Sequence, residues 1–104
     1  MTLEVLYFDG CPSHDRLLPI LRELAAEHGV ELKQWRIETL EQAEQSRFLG
    51  SPSVRVDGVD VEPGAEARGD FGLKCRLYPS SDGRMGGVPP REWVARALSE
   101  APAR

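Results

Sequence analysis

The chain has little cysteine: two residues in 104, Cys11 and Cys75. That is too few for a disulfide scaffold, and in a reducing compartment both start as free thiols. Positive charge is not in surplus either. The 13 Lys and Arg are scattered among 17 Asp and Glu for a formal net charge of −4, which argues against a phosphate-binding face for nucleic acid. No apolar run approaches the roughly 20 residues that span a bilayer. No basic-then-apolar leader precedes the first strand-like run, so no membrane partner is expected and a cytoplasmic location is the default. Repeats, low-complexity tracts and an obvious linker are missing, which predicts one domain over residues 1–104. The His and Cys residues lack the paired short spacings of a zinc site, and neither a metal nor any other cofactor is expected.

What is present reads as alternating strands and helices. Hydrophobic residues make up 40% and charged residues 29%, ordinary globular usage. Residues 2–8, TLEVLYF, form a short apolar run bounded by Asp9-Gly10 and predict a buried strand. Leu17, Leu18, Ile20, Leu21, Leu24 and Ala25 recur at spacings of three and four, which predicts an amphipathic helix opening at Pro12 and stopping at Gly29. Pro19 inside it predicts a kink, since a helix-interior proline removes a backbone bond at a cost of about 3 kcal/mol. Residues 30–37 predict a second strand, with a slip in alternation near Gln34 that suggests a bulge. Thr39 and Gln42 have the form of a capping box opening a weaker helix, whose stripe is Leu40, Ala43, Phe48 and Leu49 and whose end is Gly50. Asp57-Gly58 predicts a tight hairpin turn between strands at 53–57 and 59–62. Pro89-Pro90 lead into a last helix with Trp93, Val94, Ala97 and Leu98 on one face. The segment between Glu62 and Pro90 is long for a plain connection, holds Cys75, and contains LKCRLY, which can add a short strand. The fold class expected is α/β in the order βαβαββα, with a mixed sheet flanked by helices: the first two strands parallel, the hairpin antiparallel.

Cys11 is the residue on which chemistry can be built. The thiolate is the nucleophile, and free amides at a helix start favour an anion by about 0.3–1 kcal/mol. Asp9 and Asp15 lie close in sequence and oppose it, so a moderately activated thiol is expected. His14 falls one helical turn beyond Cys11, where a charged imidazole would stabilise the thiolate, a neutral one would take its proton, and a solvated one would do neither. Cys75 has two readings. If residues 63–89 fold back over the helix start, its sulfur can resolve a disulfide on Cys11; otherwise it is a core cysteine facing inward from a short strand. Arg76 and Arg84 either meet substrate carboxylates or are simply solvated. Two thiolates brought together would suit a soft ion such as mercury or copper(I).

This element order, with Cys11 after the first strand, Pro19 within the helix, Ser51-Pro52 entering the third strand and Asp57-Gly58 in the hairpin, resembles the thioredoxin-like superfamily. The resemblance covers residues 1–62 and about 90–100, with 63–89 standing as an insertion before the last helix. More narrowly, FLGSPSVRVDGVDVEPGAEARGDFGLKCRLY is similar to a group of small bacterial thioredoxin-like proteins, some of them associated with mercury resistance. The resemblance implies that Cys11 is the nucleophile, that Pro52 is cis, and that the Ser51 backbone is exposed to pair with an extended substrate segment. His14 occupies the position where a dithiol motif has its second cysteine, so Cys11-Pro12-Ser13-His14 is a monothiol motif and a two-thiol cycle within it is impossible. The expected function is thiol-disulfide exchange, with Cys11, His14 and Cys75 as candidate catalytic residues and Pro12, Ser13, Ser51 and Pro52 as candidate substrate contacts. The expected partner is a protein or small-molecule thiol or disulfide. The alternatives are a non-enzymatic soft-metal binder or partner-docking module of the same fold, and a structural module with two inert cysteines. Oligomeric state is left open.

Overall fold

A computed structural model describes residues 1–79 and 83–100. Among these, the strands β1 (Thr2–Tyr7), β2 (Glu31–Arg36), β3 (Ser53–Val56) and β4 (Val59–Asp60) form one sheet in the order β2-β1-β3-β4. β1 and β2 are parallel, while β1 with β3 and β3 with β4 are antiparallel. Helices α1 (Pro12–His28), α2 (Leu40–Gln45) and α3 (Arg91–Glu100) flank it. The protein is therefore mixed α/β with a mixed sheet between helices. Two short strands, β5 (Tyr78–Pro79) and β6 (Met85–Gly86), pair separately within the segment before α3.

Strand alternation sends two apolar sets to opposite faces of the sheet. Leu3, Val5, Val54 and Val56 meet Leu17, Leu21, Leu24 and Ala25 of α1 and Val94 and Leu98 of α3, forming the larger core. Leu6 faces the other way and packs with Ile37, Ala43 and Phe48 against α2. Truncating any of the buried leucines to alanine typically costs 2–5 kcal/mol, so these two clusters fix where the ends of β1 and β3 lie.

α1 runs unbroken through Pro19, whose side chain is exposed, and closes on Gly29 at φ 65°. The expected bulge at Gln34 is absent: β2 keeps register with β1 from Thr2↔Glu31 to Tyr7↔Arg36. The slip in alternation has a simpler cause. β2 is an edge strand with little buried surface, so its pattern is not constrained by a core. The capping box forms with both of its hydrogen bonds, but α2 ends at Gln45, earlier than its stripe suggested. Arg47 turns the chain at φ 57°, which drops Phe48 and Leu49 into the interior and leaves Leu40 exposed. The hairpin turns at Asp57 and Gly58, both at positive φ as a tight turn of this length requires.

Candidate functional site

β1 ends at Tyr7, and Gly10, at φ 80°, turns the chain so that Cys11 becomes the residue that opens α1, with Pro12 in the first turn. Pro12 suits that position because the hydrogen bond its nitrogen cannot donate has no acceptor there. The Cys11 side chain accepts no hydrogen bond from the first-turn amides. It is also 4% exposed, so the sulfur is enclosed. Asp9, expected to repel a thiolate, is engaged by Arg36 at 3.1 Å in an exposed pair. Ser13 is half-buried and its hydroxyl accepts from Arg16 at 3.1 Å.

His14 is 6% exposed and stacks flat on Tyr7, ring centroids 3.8 Å apart and planes 1° from parallel. Alternation along β1 brings Tyr7 to the face on which α1 lies, so the stack joins strand to helix. Burial pushes the imidazole below its ordinary value of 6.5, and a hydrogen bond with Gln34 and the charge of Asp15 only partly oppose this. Its Nδ1 is buried and has no hydrogen-bond partner. The reading of His14 as a solvated surface residue is thereby corrected.

The same end of the sheet holds Ser51 and Pro52. The Ser51–Pro52 peptide is cis, and the Ser51 hydroxyl accepts from the Phe8 amide at 3.4 Å, which sets Ser51 beside the stretch running into Cys11. The Ser51 backbone is not open. Its N–H donates to Lys74 O at 2.8 Å and its carbonyl accepts from Arg76 N at 3.0 Å, a parallel bridge that places Cys75 directly opposite Ser51. Residues 63–89 meet the site at two places: at Ser51 at the sheet end, and at Gly87, where a Cβ would overlap Ser13 Oγ.

Cys75 is exposed, which overturns its reading as an inward core cysteine. Leu73, Cys75 and Leu77 point outward, while Arg76 and Tyr78 are buried. Arg76, read from sequence as a solvated loop arginine or a substrate ligand, is 2% exposed. Its guanidinium donates to both carboxylate oxygens of Asp60 at 2.7 and 2.9 Å, to Ser53 Oγ at 2.9 Å and to Glu62 at 3.3 Å. It also lies 4.7 Å from the Tyr78 ring centre. Burial works against its charge, Asp60 and Glu62 work for it, and the balance raises its pKa. The Tyr78 hydroxyl donates to Pro52 O at 2.6 Å. Gly50, at φ 123°, completes the fit: a Cβ there would stand 2.9 Å from Lys74 O and 3.0 Å from Arg76 Cβ.

The site thus gathers Cys11, Ser13, His14, Ser51, Pro52 and Cys75 at one end of the sheet, with the two thiols unpaired. A nearby groove of about 360 Å³ is lined by Phe8, Asp9, Arg36, Ile37, Glu38 and Leu73, and neither cysteine lines it. Among the described residues, no three His, Cys, Asp or Glu side chains are grouped to hold a metal ion, and no helix is long and apolar enough to cross a membrane. Sequence reasoning missed Tyr7 and Tyr78, and gave Gly50 and Arg76 other roles, as a helix end and as a loop arginine. Asp60 and Glu62, alternate residues just past the hairpin turn, were the available signal for a buried cation. Compared with known proteins, this chain matches no family model, no curated protein and no solved structure.

Proposed function

We propose that this chain is a thioredoxin-like thiol-disulfide oxidoreductase of the cytoplasm, with Cys11 as nucleophile and Cys75 or an external thiol as resolving group. The observation that carries the reading is the placement of Cys11 at the opening of α1 at the same sheet end as Ser51, the residue against which Cys75 is bridged. His14, kept neutral near neutral pH by its burial, is the group one turn away from Cys11 that accepts the thiol proton. The Cys11 thiolate attacks one sulfur of a disulfide, forming a mixed disulfide and releasing one thiolate, which takes up a proton. The Cys75 thiolate then attacks the Cys11 sulfur and expels the second thiolate, leaving an 11–75 disulfide that two equivalents of an external monothiol reduce.

The test is disulfide turnover with glutathione as reductant. Cys11→Ser abolishes activity; a mixed disulfide that accumulates on Cys11 in Cys75→Ser, detected by mass spectrometry, marks Cys75 as the resolving group, and undiminished turnover of Cys75→Ser marks the external thiol. Unchanged reduction by Cys11→Ser would remove the reading. A second reading, a soft-metal binder without turnover, is favoured by the enclosure of Cys11. Stoichiometric binding of mercury(II) that requires both cysteines, in a protein inactive on disulfides, would select it.

A further inference from the structure

We infer that the disulfide attacked by Cys11 belongs to a small molecule rather than to an extended protein segment, an inference that rests on the function proposed above. A polypeptide that presents a disulfide to a thiol needs somewhere to satisfy its backbone polar groups, because leaving them buried and unpaired costs about 1–3 kcal/mol each. The strand edge beside Cys11 is that of Ser51, and both of its backbone groups are consumed by Lys74 O and Arg76 N. The segment that consumes them is not a loose strap. Arg76 is anchored in a buried ion cluster with Asp60 and Glu62, Tyr78 holds Pro52 O, and Gly50 leaves room for the backbones to touch. Displacing it would strand charges that are expensive to leave unpaired in the interior. Gly87 lies against Ser13 in the first turn of α1, and Cys11 itself keeps 4% of its surface.

One helical turn beyond Cys11, the buried Nδ1 of His14 has no hydrogen-bond partner. A compact disulfide R–S–S–R needs only its two sulfurs to reach Cys11. The Cys11 thiolate bonds to one sulfur, the S–S bond breaks, and RS⁻ leaves and takes up a proton. An external monothiol then attacks the R sulfur of the mixed disulfide, frees Cys11 and carries the oxidation away as a new small disulfide. Atoms and electrons balance with that monothiol as reductant.

The experiment has two parts on the full reduced chain. Hydrogen exchange read by NMR is expected to show the Ser51 and Arg76 amides slowed at least ~100-fold relative to an unstructured chain. Reduction of bis(2-hydroxyethyl) disulfide is expected to exceed reduction of insulin by at least ~10-fold in kcat/KM, with both rates lost in Cys11→Ser. Fast exchange at either amide, or insulin reduced with comparable kcat/KM, overturns the inference while leaving the oxidoreductase reading in place. Failure to reduce either substrate overturns that reading, and the inference with it.

Discussion

At the scale of single residues, the burial of His14 has a consequence that can be measured without any substrate. Its folded pKa lies below 6.5, chiefly through burial, whereas in the unfolded chain it titrates near 6.5. Between those two values the unfolded chain holds a proton that the folded one does not, so acidification through that window favours unfolding; above 6.5 the group contributes no pH dependence. The expected result is a wild-type stability that falls as pH drops below about 6.5, with a slope from this one group of at most about 1.4 kcal/mol per pH unit. In His14→Gln that component disappears. Urea unfolding of both proteins from pH 7.5 to 5 checks it, and parallel curves would show that His14 is not the cause. The spacing of Cys11 and His14 was legible because three residues on a helix is a fixed geometry. The flat stack on Tyr7 was not, since it depends on how far α1 is displaced along β1, which neither element encodes alone.

At the scale of elements, periodicity and caps made most of the fold readable in advance. The α1 stripe, the Thr39–Gln42 box and the Asp57-Gly58 turn each carry their own local cause. Residues 73–79 invert the usual rule: Leu73 and Leu77 face out while a charged Arg76 faces in. Such an inversion is stable only because Ser53 on β3, Asp60 on β4 and Glu62 just after it supply the partners, and the pattern of residues 73–79 alone does not show that they will be there. Removing one side of this cluster is correspondingly costly. Arg76→Met is expected to lose about 3–5 kcal/mol, because Asp60 is left half-enclosed without its cation. The paired change Arg76→Met with Asp60→Asn should recover part of that loss, and a double-mutant cycle by denaturant unfolding measures the coupling. Gly50→Ala, forced into φ 123° against Lys74 O, is expected to cost roughly 1–3 kcal/mol by the same measurement. A neutral Gly50→Ala would mean that the 74–76 segment does not rest against that backbone.

At the scale of the whole molecule, the segment that reads from sequence as an insertion meets the candidate site at two places. It meets the sheet end at Ser51 and the helix start at Ser13, so one stretch of chain presents an exposed Cys75 near the end of the sheet from which the buried Cys11 opens α1. The two thiols should then differ by the size of reagent they admit, more than by intrinsic chemistry. In the native reduced protein a maleimide carrying a polyethylene glycol chain is expected to label Cys75 alone, while iodoacetamide reaches both cysteines and does so more slowly at Cys11. In denaturant both reagents should label both. Gly87→Ala supplies the internal control, because its new methyl group overlaps Ser13 Oγ and stands 2.9 Å from Ser13 Cβ, so the 85–88 segment must lift from the first turn of α1. Lifting it is expected to raise the rate of the bulky reagent at Cys11 and leave its rate at Cys75 unchanged. Equal rates at the two cysteines in the wild type, read by intact mass against time, would mean that the segment does not cover Cys11, and the selection by substrate size would lose its cause.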